Sequence, residues 1–271
     1  MQSRQSRRVT CRECQRPVSM CYCAVLPSLT HDWPVHIIQD KREATHPLGT
    51  ARPAVRALTR ATLQTVDLQR ARDDQQIDQW LDEFGKDAAL IYPGGDALPV
   101  SRLITRQTPL TLVFIDATWR RSRRILHTWP ALARLPRYQL EGVRSSRYRI
   151  RKGPGEQALS TLEAVAEVLQ TLMPPSRQAS TPAVGGAQQS VAGARQSAGF
   201  DAESLLRVMD FIIDQQIARM PAGSYPTNEP GSAPASGPGS DPTSEAISDF
   251  DDRDRNDGDP SDRHQKNRSQ G

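Results

Sequence analysis

The sequence has no long apolar run: nothing in it approaches the roughly 18 consecutive apolar residues of a membrane span. The N-terminal arginines have no apolar segment behind them, so no secretory signal is visible and a soluble cytoplasmic protein is expected. Apolar residues make up only 37% of the chain, but the shortage is uneven. Residues 179–199, and everything after Pro221, are rich in Gly, Ser, Pro, Ala and Asp and have little to bury. Setting these aside leaves roughly 200 residues of ordinary globular composition, consistent with one domain. Acid is the other shortage. Between Ser101 and Lys152 only Asp116 and Glu141 stand against thirteen Lys and Arg. A basic block with so little local neutralisation suits a phosphate backbone, the alternative being a solvated face balanced by acids elsewhere. From Asp241 to Gly271 the balance reverses, with nine acids against five bases, in a tail expected to be disordered.

Cysteine is absent outside a single short stretch. Cys11, Cys14, Cys21 and Cys23 follow the pattern C-x2-C-x6-C-x-C, with Pro17 in the connection. Four thiolates so close together can close a tetrahedral site on Zn²⁺. Disulfides suit an oxidising compartment better than a cytoplasmic one, and an iron–sulfur cluster is the other competitor. A site with four sulfur ligands has no open coordination position, so the expected role is structural: a staple for an N-terminal element over residues 1–30.

Two apolar segments stop on chemistry. Leu110 to Ile115 ends abruptly at Asp116, and Ala88 to Tyr92 runs into Pro93-Gly94-Gly95-Asp96. Strands of α/β proteins place ligands at their carboxyl ends, and paired glycines let backbone approach a ligand closely. If the two strands are neighbours, their ends form a crevice. After Asp116 a helix is expected from Thr118 to about Trp129, with Asp116 a good residue type for its N-cap and Pro130 its stop. On it, Arg120, Arg121, Arg123 and Arg124 cover most of the outer surface, while Ile125 and Trp129 supply the inner stripe. Trp119 is either a core residue or a stacking platform.

Other elements are read more briefly. Val35 to Ile38 is a short strand, followed by a loop with His46, Pro47, Gly49 and Thr50 and a helix from Ala54 to Ala61. Ile77 to Phe84 is helical and Tyr138 to Leu140 extended. Arg144 to Lys152 (R-S-S-R-Y-R-I-R-K) interleaves cations with a tyrosine, as phosphate contacts and base stacking require, although a half-exposed strand has the same alternation. Ser160-Thr161-Leu162-Glu163 has capping-box spacing, and Leu162, Val165, Leu169 and Leu172 then form one helical stripe. A last helix, about Asp201 to Met220, buries Leu205, Met209, Ile212 and Ile213.

Taken together, C-x2-C-x6-C-x-C, H-P-L-G-T-A-R, L-I-Y-P-G, D-A-T-W, and R-Y-R-I-R-K with L-S-T-L-E-A-V resemble the DTW-domain tRNA-uridine aminocarboxypropyltransferase family. The resemblance runs from Cys11 to about Thr171, and the last helix fits it too. The low-complexity insert at about 174–199 and the tail at 221–271 depart from the family pattern without touching a motif. The resemblance implies a catalytic domain over 31–220 with an α/β, SPOUT-like fold: a mostly parallel sheet, flanking helices and a knotted cofactor site. It implies transfer of the 3-amino-3-carboxypropyl group of S-adenosyl-L-methionine to N3 of a tRNA uridine, in the variable loop, with release of 5′-methylthioadenosine. On this reading Asp116 is a general base or orienting group, Thr118 bonds the amino-acid end of the donor, and Trp119 stacks on a base. Thr50, Tyr92, Pro93, Gly94, Gly95 and Ala117 contact the donor. Arg120, Arg121, Arg124, Arg147, Arg149, Arg151 and Lys152 contact tRNA, and zinc on the four cysteines is structural. Two other readings stay open: a SPOUT-like methyltransferase using the same donor, and a non-enzymatic zinc-containing RNA-binding protein.

Overall fold

The computed structural model describes residues 9–70, 76–142, 146–147, 159–174 and 199–220. The tail, nearly all of the expected insert, and Arg149, Arg151 and Lys152 lie outside the described residues. Among the described residues six strands form one sheet: β1 (Val35–Asp40), β2 (Ala61–Val66), β3 (Ala88–Ile91), β4 (Leu98–Pro99), β5 (Thr111–Asp116) and β6 (Arg137–Gln139). Their order is β2-β1-β5-β3-β6-β4, and every neighbouring pair is parallel. The helices are α1 (Lys41–Ala44), α2 (Ala51–Ala57), α3 (Gln76–Phe84), α4 (Trp119–Thr128), α5 (Pro130–Ala133), α6 (Thr161–Leu172) and α7 (Ala202–Ile217). The expected mostly parallel sheet with flanking helices is therefore present.

Both sheet faces are covered, which explains why the central strands read as apolar runs rather than alternating ones. Val35, Ile37, Leu112 and Phe114 pack against α2, α6 and α7. Ile38, Leu90 and Val113 pack on the other face against α3, α4 and α5. The chain leaves β1 through α2 toward the β2 edge, and leaves β5 through α4 on the opposite face toward β6. Divergence of this kind opens a crevice at the carboxyl ends of the two strands, where open α/β sheets bind ligands. Gln39 and Asp116 are direct register partners at that point.

Three sequence expectations change. The helix expected from Ala54 to Ala61 begins at Ala51 and ends at Ala57, and Ala61 opens β2. Pro53 lies in the first turn of α2, where a missing N–H breaks no intrahelical bond. Strand β2 escapes notice because it is an edge strand that leaves Thr62 and Thr65 exposed. Pro130 does stop α4, but it also opens α5 as its first residue, a position its fixed φ suits. The expected capping box is complete: Ser160 accepts from the Glu163 amide, and Glu163 accepts from the Ser160 amide.

Among the described residues no helix is long and apolar enough to cross a membrane.

On β1, His36 stacks on Trp80 of α3, with ring centroids 4.2 Å apart and planes 9° apart. Its Nδ1 lies 2.7 Å from Thr62 Oγ1 and its Nε2 lies 3.1 Å from Gln64 Oε1. Burial holds its pKa down at about 4, against about 6.5 in an unfolded chain. Between those values the unfolded chain binds the extra proton, so folding stability should fall as pH drops from 6.5 to 4, by on the order of 3 kcal/mol in all. His31, also shifted down by burial, contributes in the same direction. Denaturant titrations at stepped pH should show a shallower acid slope in His36→Phe than in wild type; equal slopes would rule out His36 as the source.

Candidate active site

Asp116, the last residue of β5, is 8% exposed and turns onto the α6 side of the sheet. Gln39 Nε2 donates to its Oδ2 at 2.8 Å. Thr161 Oγ1, on the first residue of α6, donates to its Oδ1 at 2.5 Å. The positive end of α6 thus faces a carboxylate, a favourable placement for the negative charge. The capping role that residue type suggested for Asp116 falls to Thr118, whose side chain makes no cap hydrogen bond. Helix α4 instead closes its first turn through the Ser122 amide on the Thr118 carbonyl, at 2.7 Å.

Trp119 is not a core residue. It is 45% exposed at the start of α4, and its ring meets Tyr92 edge-on at 5.7 Å. Tyr92 is held in turn by a hydroxyl contact of 2.9 Å with Ser122 and by the Arg137 guanidinium 5.8 Å above its ring. The Gly94 amide donates to Gln139 Oε1 at 3.4 Å. A Cβ at Gly94 would meet Arg137 Nη1 at 2.8 Å, so the close approach this glycine permits is to the chain's own arginine. Gly95 has nothing within 4 Å of its missing Cβ and leaves open space. Strands β3 and β5 are neighbours, so Tyr92-Pro93-Gly94-Gly95 and Asp116-Ala117-Thr118 leave the same edge side by side. Thr50, 5% exposed, caps α2 by position without a side-chain bond.

The arginines of α4 divide. Arg120, Arg123 and Arg124 are exposed. Arg121 turns inward and pairs through Nε and Nη2 with Asp40, which is fully buried and also accepts from the Arg42 amide at 2.9 Å. The hydrogen bond to Asp40 raises the Arg121 guanidinium pKa further. Arg121 is therefore tied into the protein rather than presented with its neighbours. Arg147 also has acidic partners on α7, Glu203 at 2.7 Å and Asp210 at 3.6 Å. Between α6 and this segment, buried Glu163 accepts from Ser146 Oγ at 3.0 Å and from the Arg147 amide at 2.6 Å, besides closing its capping box.

The four cysteines come together with all sulfur atoms within 4.8 Å of one another. The Cys11–Cys23 and Cys14–Cys21 sulfurs are 3.9 and 3.8 Å apart. A tetrahedron with Zn–S bonds of about 2.3 Å has edges of about 3.8 Å, so the sulfur atoms fit a metal; a disulfide would need about 2.05 Å. Gln15 takes φ of +58° as the chain turns behind Cys14. The element does not stand apart: Cys14 and Tyr22 pack on Val208 and Ile212 of α7, and Arg56 of α2 donates to the Glu13 carbonyl at 3.0 Å.

Gln39, Asp40, Arg137 and Thr161 were not among the sequence-derived candidates. The first two carried a usable signal, since V-H-I-I-Q-D ends an apolar strand on polar residues just as L-T-L-V-F-I-D does. Thr161 lay in the L-S-T-L-E-A-V motif, but nothing there pointed to Asp116, and Arg137 carried no signal; only the tertiary fold brings these two to the site.

Comparison with known proteins shows which family the chain resembles. A Drosophila melanogaster protein named tRNA-uridine aminocarboxypropyltransferase 2 is 33% identical over 181 residues, covering 62% of this chain and 68% of its own. A Mus musculus protein of the same name is 33% identical over 173 residues, covering 61% of this chain. A Macaca fascicularis protein of that name is 30% identical over 174 residues. The matched region spans 57% of the length of each of the two mammalian relatives. No solved structure matches the chain. The DTW domain model matches residues 8–217, well over half of the sequence, and the chain belongs to the DTW domain family.

Proposed function

We propose that this protein transfers the 3-amino-3-carboxypropyl group of S-adenosyl-L-methionine to N3 of a tRNA uridine, in the variable loop: the relatives' name supports aminocarboxypropyl transfer to a tRNA uridine, and the motif resemblance implies the donor, the N3 position and the loop. The observation that carries the reading is a buried carboxylate, Asp116, held on both oxygens at the carboxyl edge of a parallel sheet, three residues before an exposed tryptophan heading an arginine-rich helix. The sulfonium donor supplies an activated γ-carbon. At the uridine, the N3–H bond is lost, an N3–Cγ bond forms, and the Cγ–S bond breaks with its electrons passing to sulfur, so that neutral 5′-methylthioadenosine leaves. Asp116 accepts the N3 proton or orients N3 for attack. Trp119, supported by Tyr92, stacks on a base, and Thr118 bonds the amino-acid end of the donor. Choosing the γ-carbon over the methyl is a matter of how the donor is held. That task falls to Thr50, Pro93, Gly94, Gly95 and Ala117, in a cofactor site knotted as in SPOUT-like folds.

The cysteine element holds a structural zinc, which completes residues 1–30 as a staple on the catalytic domain of 31–220. A tRNA substrate makes the cytoplasm the expected place of action. Arg120 and Arg124 present exposed cations to phosphate; Arg149, Arg151 and Lys152 also contact tRNA in this reading.

Mass spectrometry of tRNA from a deletion strain tests the proposal. Loss of the aminocarboxypropyl mark on uridine supports it, loss of a methyl mark points to a methyltransferase, and an unchanged pattern points to a non-enzymatic RNA-binding role. In parallel, Arg120→Ala with Arg124→Ala should lower tRNA affinity and reduce the slope of log K against log salt by about 2. An unchanged slope would take these arginines off the RNA face.

A further inference from the structure

We propose that Gln39 is a positioning residue for Asp116, an inference that rests on Asp116 acting at the uridine. An ionised carboxylate only accepts hydrogen bonds, so the amide facing it must present its NH2 group. The bond from Nε2 to Oδ2, at 2.8 Å, has that sense. It leaves Oε1 pointing elsewhere, buried and without a hydrogen-bond partner among the described residues, in a residue only 2% exposed. An unmade buried carbonyl costs stability. Leucine or methionine at this point of β1, beside the apolar layer of Ile37 and Phe114, would avoid that cost. What they would lack is the N–H that reaches Asp116.

The placement is rigid. Parallel pairing of β1 with β5 sets Gln39 opposite Asp116, and α6 brings Thr161 to the other oxygen. One donor from the sheet and one from the helix hold the two carboxylate oxygens, which fixes rotation of the group about its last bond. Without Gln39 the carboxylate keeps its charge and its bond to Thr161 but loses the donor that pins its other oxygen. Misplacement of a reacting group by about 1 Å can cost about 100-fold in rate.

The full-length protein carrying Gln39→Met, and separately Gln39→Leu, tests this. The expected result is a kcat lower by about 10- to 100-fold, KM for the donor and for tRNA within about threefold of wild type, and a thermal midpoint within about 10 °C of wild type, since relief of Oε1 offsets part of the hydrogen bond that Asp116 loses. That last readout separates positioning from packing, because a residue needed for the fold would lower the midpoint by more than one lost hydrogen bond explains. Combining Gln39→Met with Asp116→Asn should be no slower than Asp116→Asn alone, since Gln39 acts through the carboxylate. An inactive Asp116→Asn beside a Gln39→Met of wild-type kcat would overturn the positioning role while leaving the reading of Asp116 intact. Misfolded Gln39→Met and Gln39→Leu, or midpoints lowered by more than about 10 °C, would also overturn it, in favour of packing. Wild-type turnover in Asp116→Asn would instead remove the reading on which the inference rests.

Discussion

Asp116→Asn is expected to lower turnover by about 10²- to 10⁴-fold, the range typical of losing a general base, while tRNA affinity stays within a few-fold of wild type. The structure explains why asparagine is the informative replacement. Alanine would leave the Gln39 amide and the Thr161 hydroxyl pointing into a buried space with no acceptor, costing about 1–3 kcal/mol for each group left unpaired. Asparagine keeps the volume and one acceptor, and turns its own NH2 against one of the two donors, so the stability loss is smaller. Single-turnover rates with saturating donor and tRNA, read beside thermal midpoints, separate the chemical effect from the structural one. A rate within threefold of wild type would show that Asp116 is a structural junction between β5 and α6. A large loss would not by itself distinguish proton removal from orientation, because positioning can contribute roughly 7–11 kcal/mol to catalysis. Solvent-isotope and pH measurements on the variant's residual rate address that choice.

With the proposed zinc on the cysteine element, a strong chelator or Cys14→Ser is expected to lower the thermal midpoint by roughly 10 °C. Structural zinc sites supply folding free energy directly, and each kcal/mol lost shifts a domain of this size by about 2–4 °C. Among the described residues the cysteine end of this element has few other anchors. Cys14 and Tyr22 pack with partly buried Leu26 against Val208, Ile212 and Phe211 of α7, while Leu29, at the far end, pairs with Ala57 and Thr59 and packs on the main core. Losing the staple uncovers that outer side of α7 and frees Arg56 and Arg219 from their contacts with the Glu13 and Ser19 carbonyls. The other side of α7, through Leu205, Met209 and Ile213, remains in the main core, so the expected outcome is destabilisation rather than collapse. Elemental analysis should find one zinc per chain. A midpoint unmoved by both treatments would mean that packing alone holds the element, and iron in place of zinc would correct the metal.

Much of this was legible in the residues. Strands β1, β3 and β5 announced themselves because a parallel strand covered on both faces needs apolar side chains on both, and a polar residue at the end of such a run stands out. The capping box at Ser160 and Glu163 was equally plain, since its partners are three residues apart. Sulfur spacing set the ligand number of the candidate metal site. Strands β2 and β4 were illegible for the opposite reason: one is a half-solvated edge and the other two residues long.

What the residues determined alone is therefore the chemistry carried by near neighbours: the carboxylate after a buried strand, the four thiolates, the cations of α4 and the family those motifs identify. The tertiary structure decided what each group faces. Gln39 and Thr161 come from 77 and 45 residues away to hold Asp116. Buried Asp40 singles out Arg121 from Arg120, Arg123 and Arg124, although all four are the same residue in one short helix. The reason is that hydrogen bonds act over about 3 Å, and only sheet register and helix docking bring residues so distant in the chain within that reach.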